Sequence, residues 1–241
     1  MFNFRKAVLI IHGFAGGTYD EEPLLFHLQP IYRFDVFNFT LPGHMTNLST
    51  DVEYEDWIHA VDKRINKLVE LGYNDIYLVG HSMGGVLATY AAIKHKQVKK
   101  LVLVAPAFQY LSTDKGESTF EKSIKYGPEI VKTYNPKEIL SRFLKVSLQQ
   151  LKEFEKIVAD AQSNPTNIKV PTLIIQGLAD QVVPYESSEK IYDEMTCKKY
   201  LLEIEGVTHD VFYGEKVEEI CEEISKFLKK TNYDAENIRK W

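Results

Sequence analysis

IYLVGHSMGG, residues 76–85, runs four apolar residues into a glycine, a histidine, a serine and two further glycines. The run Ile76–Val79 has the length and character of a strand buried on both faces. From Ser82 onward the residues become small, with Gly85, Ala88, Ala91 and Ala92 continuing a helix to about His95. A strand turning directly into a helix at Gly80-His81-Ser82-Met83-Gly84 is the setting in which Gly-x-Ser-x-Gly holds a nucleophile. Glycines flank the serine because side chains there would clash in so tight a turn. The turn also sets the hydroxyl at a helix N-terminus, where the dipole favours developing negative charge. Five residues alone match often by chance, and a glycine-rich turn with a Ser N-cap is the plain alternative. The surroundings decide for the elbow.

Working outward, strand and helix keep alternating. Ala7–Ile11 (AVLII) is a continuous apolar run ended by His12-Gly13, and Phe34–Phe39 alternates before the turn Leu41-Pro42-Gly43. Trp57, Ile58, Val61, Ile65, Leu68 and Val69 recur at helical spacing, and Gly72 closes that segment. Leu101–Val104, Thr172–Gln176 and Tyr200–Ile204 read as further strands. Val217, Ile220, Cys221, Ile224, Phe227 and Leu228 then form one stripe of a last helix. This predicts the α/β class: a doubly wound, mostly parallel sheet of about six strands flanked by helices.

Residues 107–168 break the rhythm. No strand is read there, while Ile139, Leu140, Phe143 and Leu144, then Leu148, Leu151, Phe154, Ile157 and Val158, keep helical periods. About sixty residues exceed what one crossover helix needs. A small helical cap over 107–168, inserted between two strands, is therefore expected, with 1–106 and 169–241 forming the core. The polar tail from Thr231 to Trp241 is expected to fray, apart from Trp241 itself.

With 241 residues, 44% apolar and 26% charged, the chain is neither disordered nor in need of disulfide staples. Cys197 and Cys221 make neither a disulfide framework nor a zinc site. His27, His59 and His95 lack ligand spacing, so no metal and no cofactor is expected. A net charge of −5 without a basic block argues against a nucleic-acid partner. No apolar run nears the ~18 residues of a membrane span. Ala7–Ile11 is also too short for a signal peptide's apolar region. The expectation is a soluble, cytoplasmic protein acting on a small molecule, its oligomeric state unspecified.

A serine hydroxyl needs a base, and the base needs an orienting group. His209 follows the strand Tyr200–Ile204 and the turn Glu205-Gly206. Asp180 follows Thr172–Gln176 through Gly177-Leu178-Ala179. Both occupy loops after strands, where this architecture gathers its sites, and the order Ser, Asp, His is the one required. Asp193 and Asp210 compete with Asp180 for the acid. Two donors are needed for an oxyanion: the N–H of Met83, after the nucleophile, and that of Phe14 in the glycine-rich loop 12–17. That loop lacks the Gly-Lys-Ser/Thr and Gly-x-Gly-x-x-Gly patterns of phosphate binders. His12 and His44 stand near the site as backbone supports, His81 is read as a packed, hydrogen-bonded residue, and Cys221 as a buried small hydrophobe.

These pieces resemble the α/β-hydrolase superfamily across nearly the whole chain. More narrowly, they resemble the small bacterial carboxylesterases related to monoacylglycerol lipases. The matching motifs are HGF at 12–14, LPGH at 41–44, GHSMGG at 80–85, GLADQVVP at 177–184 and THD at 208–210. The resemblance implies Ser82 as nucleophile, Asp180 as acid, His209 as base, Phe14 and Met83 as oxyanion donors, and 107–168 as the cap that shapes an acyl pocket. Met45 stands where many relatives carry a glycine. The activity expected is a serine esterase for carboxylic esters of short-to-medium acyl chains, of carboxylesterase or monoacylglycerol lipase type. A thioesterase, a cinnamoyl-type esterase or a lyase would share fold and triad, and a ligand-binding protein without turnover is the non-enzyme alternative.

Overall fold

The computed structural model describes residues 5–44, 52–109, 147–233 and 238–240, the last three as backbone alone. Among the described residues there are seven strands: β1 (Lys6–Ile11), β2 (Phe34–Asn38), β3 (Ile76–His81), β4 (Val98–Val104), β5 (Thr172–Gly177), β6 (Lys199–Ile204) and β7 (Ile238–Lys240). They lie in the order β2-β1-β3-β4-β5-β6-β7, and every neighbouring pair is parallel. The six strands read from the sequence are all there. β7 is the addition, and it corrects the frayed tail: Ile238 pairs with Leu201 and Lys240 with Glu203. Three residues are too few to show strand periodicity, and the open edge of β6 supplies the hydrogen-bonding partner.

The apolar runs work because alternate residues leave opposite faces of the sheet. Ala7, Leu9, Ile11, Leu78 and Leu103 point into one core, while Val8, Ile10, Val79, Val102 and Val104 point into the other. The first core is closed by α2 (Tyr54–Glu70), α3 (Met83–Lys94), α4 (Leu148–Asp160) and α5 (Tyr185–Glu194). The second is closed by α1 (Glu22–Leu28) and α6 (Val217–Lys229). α2 buries Trp57, Val61, Ile65 and Leu68, the stripe its spacing announced, behind a capping box formed by Glu53 and Asp56.

Strand order positions the site. The chain leaves β1 for β2 on one side and returns to β3 on the other. The chain after β1 and the chain after β3 therefore depart toward opposite faces of the sheet, the topological switch beside which this architecture sets its sites, at the strands' carboxyl ends.

Of the stretch 107–168, residues 110–146 lie outside the described residues. The portion after them holds α4, a 3-10 turn over Ala161–Ser163 and a helical turn over Asn164–Asn167. α4 is built into the first core, with Phe154 and Ile157 buried there. Its polar face is anchored too: Gln150 Nε2 donates to the Gly43 carbonyl at 3.0 Å, and Glu153 Oε2 accepts the Tyr54 N–H at 3.3 Å. The second contact sets a carboxylate at the start of α2, where the helix dipole welcomes it.

Candidate active site

Ser82 sits between β3 and α3 at φ 53°, ψ −119°, a backbone region an L-residue occupies only when its surroundings insist. They do. A Cβ at Gly80 would stand 2.2 Å from the Gly84 carbonyl, and one at Gly84 would stand 2.1 Å from the Ile11 carbonyl. Only glycine lets strand, helix and β1 approach so closely. Main-chain bonds fix the elbow further: Ser82 N–H donates to Val104 O at 2.9 Å, and Ser82 O accepts from Gly85 and Ala107.

The structure brings three of the expected side chains together. Ser82 Oγ is 3.0 Å from His209 Nε2, and His209 Nδ1 is 2.8 Å from Asp180 Oδ2. A carboxylate only accepts, so Nδ1 carries the proton and Nε2 is free to accept from the hydroxyl. Asp180 is fully engaged. Its Oδ1 accepts the N–H groups of Val182 and Val183, both at 2.8 Å, and Oδ2 also accepts Gln176 Nε2 at 3.1 Å. The Asp180 side chain is 0% exposed and that of His209 12%. Asp193 lies on α5, away from this line of bonds.

Met83 opens α3, where the first N–H groups of a helix have no intrahelical acceptor. The other expected donor, Phe14, follows Gly13, where an added Cβ would stand 3.1 Å from Ser82 Cβ. The loop after β1 thus runs against the nucleophile position. The Phe14 ring stacks on Phe154 of α4 (4.8 Å between centroids, 10° between planes) and meets Trp57 and His44 edge-on. An aromatic clasp therefore joins this loop to α4.

His12 supports the same loop. Its Nε2 accepts the Leu41 N–H at 2.9 Å and Nδ1 donates to Gly13 O at 2.8 Å, which makes the ring a neutral Nδ1–H tautomer. Burial, helped by His44, pushes it down from 6.5 to about 3. Between those values the unfolded chain binds a proton that the folded chain refuses, so this contribution is whole above pH 6.5 and declines as pH falls. The slope reaches about 1.4 kcal/mol per pH unit for one group. Urea midpoints measured from neutral to acid pH should accordingly fall less steeply in His12→Gln than in the wild type. Equal slopes would show that His12 is not a source of the acid sensitivity.

Sequence reading missed two contributors. Gln176 is a buried polar residue inside the apolar strand TLIIQG, and that mismatch was a usable signal. Its amide bonds Asp180 Oδ2 and the carbonyls of Gly177 and Val183, while its Oε1 accepts Ser188 Oγ at 2.7 Å. Glu21 left no such signal, because it meets His81 across 60 residues of chain. Among the described residues no cluster of His, Cys, Asp and Glu could hold a metal ion. None of the helices there is long and apolar enough to cross a membrane.

A family model described as serine aminopeptidase, S33, matches residues 3–216. Putative esterase/lipase 2 of Mycoplasma pneumoniae is 27% identical over 226 residues, covering 87% of this chain and 84% of its own. A carboxylesterase of Bacillus subtilis is 25% identical over 242 residues, covering 96% and 97%. Among solved structures, a monoacylglycerol lipase of Paleococcus ferrophilus superposes with a TM-score of 0.70 at 22% identity, over 92% of this chain and 93% of that one.

Proposed function

We propose that this chain, which belongs to the serine aminopeptidase S33 family of hydrolases, cleaves carboxylic esters through an acyl-enzyme formed on Ser82. Its sheet and flanking helices have the α/β-hydrolase fold. One observation carries the reading: the line from Ser82 Oγ through the two nitrogens of His209 to Asp180, closed by bonds of 3.0 and 2.8 Å on a strained elbow. The relatives named esterase/lipase and carboxylesterase support an ester as the scissile bond.

In this reading His209 Nε2 takes the hydroxyl proton as Oγ attacks the ester carbonyl, and Asp180 stabilises the imidazolium that results. The N–H groups of Phe14 and Met83 receive the oxyanion. The imidazolium then protonates the departing alkoxide. Water, deprotonated by the same ring, attacks the acyl-enzyme, and the proton returns to Ser82 as the acid leaves. The substrate is a small carboxylic ester in the cytoplasm.

The acyl side is assigned to the aromatic clasp of Phe14, Trp57 and Phe154, on the loop that runs against Ser82. An apolar wall rewards each acyl methylene by up to ~0.8 kcal/mol, about fourfold in kcat/KM, until the chain outgrows the space. A panel of p-nitrophenyl esters should therefore show kcat/KM rising from acetate through medium chains and falling for long ones. Aminoacyl p-nitroanilides serve as the aminopeptidase control. A panel turned over no faster than by buffer, or a preference for the anilides, would sink the ester reading. A rise that continues into long chains would sink the size assignment alone.

A further inference from the structure

The residue before the nucleophile has both ring nitrogens committed. His81 Nε2 stands 3.0 Å from the backbone O of His209, and Nδ1 stands 3.1 Å from Oε1 of Glu21. A carbonyl oxygen only accepts, so Nε2 must carry a proton. Nδ1 and Oε1 then share one more. Either the carboxylic acid donates to the ring or the imidazolium donates to a carboxylate, and in both cases the pair is net neutral.

Burial favours keeping that shared proton. Glu21 is 1% exposed, and its Oε2 meets no partner among the described residues. A lone anion there would be left half unpaired, at high cost. Burial pushes the Glu21 carboxyl up. Burial works against charge on His81, yet the Glu21 bond and charge, Asp210 and the His209 carbonyl leave that ring raised as well. The remaining groups facing the pair are Asp20 and His12, the Phe212 ring at 6.0 Å, and the His209 ring, whose centroid is 5.1 Å from that of His81.

We propose that Glu21 and His81 are positioning residues for His209: the His81 Nε2–H holds the His209 main chain in place, and Glu21 keeps the proton on Nε2. The inference rests on the serine-hydrolase reading. It gives a role to the histidine beside the nucleophile and to a carboxylate that the triad does not use. Three segments meet at this pair: the loop leading to α1, the elbow and the loop carrying the base. Without Glu21 the ring is free to move its proton to Nδ1. That tautomer turns the Nε2 lone pair against the His209 carbonyl, and the imidazole loses its register with Ser82. The expected defect is in kcat, because the bonds of the two side chains run to each other and to the His209 main chain and not to Phe14, Met83 or α4.

Three measurements on the full chain test this. Imidazole ¹⁵N NMR of the wild type should find His81 protonated at Nε2. A His81 carrying its proton on Nδ1 alone overturns the proposal, whatever the variants do. Glu21→Leu should lose about 10- to 100-fold in kcat with KM unchanged, by analogy with the loss when the outer partner of a metal-binding histidine is removed. Glu21→Gln, whose amide N–H donates to Nδ1, should restore most of that loss. A folded Glu21→Leu with wild-type kcat overturns the proposal, as does a loss that Glu21→Gln leaves unrepaired. If Glu21→Leu does not fold, the tautomer measurement decides. Failure of the underlying reading looks different: the wild type itself would neither turn over esters nor react with a phosphonate at Ser82.

Discussion

Ser82→Ala should abolish turnover by a factor on the order of 10⁶ and remove covalent labelling by an organophosphonate, which in the wild type adds once, at Ser82. The loss should come without loss of fold. The Ser82 hydroxyl is bonded to His209, whereas the bonds that hold the elbow are main-chain: N–H to Val104 O, and O from Gly85 and Ala107. Alanine keeps all of these, and it keeps the φ of 53° as well. Glycine would relieve that strain. Relief of ~1–3 kcal/mol, less the ~0.5–1 kcal/mol that glycine gives up in unfolded-state entropy, leaves Ser82→Gly more stable than Ser82→Ala by about 1 kcal/mol. Ester assays, mass spectrometry of the labelled peptide and urea unfolding measure the three parts. An active Ser82→Ala, or label on another serine, overturns the assignment of the nucleophile. A Ser82→Gly no more stable than Ser82→Ala removes the claim of stored strain and leaves the nucleophile standing.

The grouping of Ser82, Asp180 and His209 is legible in the sequence because each follows its own apolar strand in a parallel sheet. Such loops converge wherever the strands' carboxyl ends do. The elbow is legible for a harder reason: a Cβ at Gly80 or Gly84 would stand 2.2 or 2.1 Å from a main-chain carbonyl oxygen, so both positions demand glycine. What holds the three residues in place is far less visible. The bond from Glu21 to His81 and the stacking of Phe154 on Phe14 join positions with no common period, so no pattern along the chain announces them. Gln176 lies between these cases. A glutamine in the run TLIIQG breaks an apolar strand, and a buried amide must find partners, although the sequence does not say that Asp180 is one. β7 escaped for want of length, being three residues that need β6 beside them before they mean anything.

Asp180→Asn should lower kcat by roughly 10³–10⁴ with the fold intact, and the hydrogen bonds around the carboxylate show why. Oδ1 accepts two main-chain N–H groups, from Val182 and Val183, so an asparagine must keep its oxygen there. Its NH₂ then takes the place of Oδ2 and points two donors at two groups that also donate, Gln176 Nε2 and His209 Nδ1. His209 has one escape. It moves its proton from Nδ1 to Nε2 and accepts from the amide. In that tautomer Nε2 donates toward Ser82 Oγ across 3.0 Å and no longer takes the hydroxyl proton. The nucleophile keeps its place and loses its base, which is a defect in kcat and not in stability. Gln176 stands in the way of a gentler outcome, because its own amide is tied to the Gly177 and Val183 carbonyls and to Ser188. Both ring nitrogens of His209 are taken by Asp180 and Ser82, so Asp210→Asn and Asp193→Asn should each stay within about tenfold of wild type, ~1.4 kcal/mol. Steady-state kinetics on the three variants, with circular dichroism to establish that each is folded, separates them. Asp210→Asn as the crippled variant would move the acid to Asp210, and a wild-type rate in Asp180→Asn would remove the acid from the mechanism.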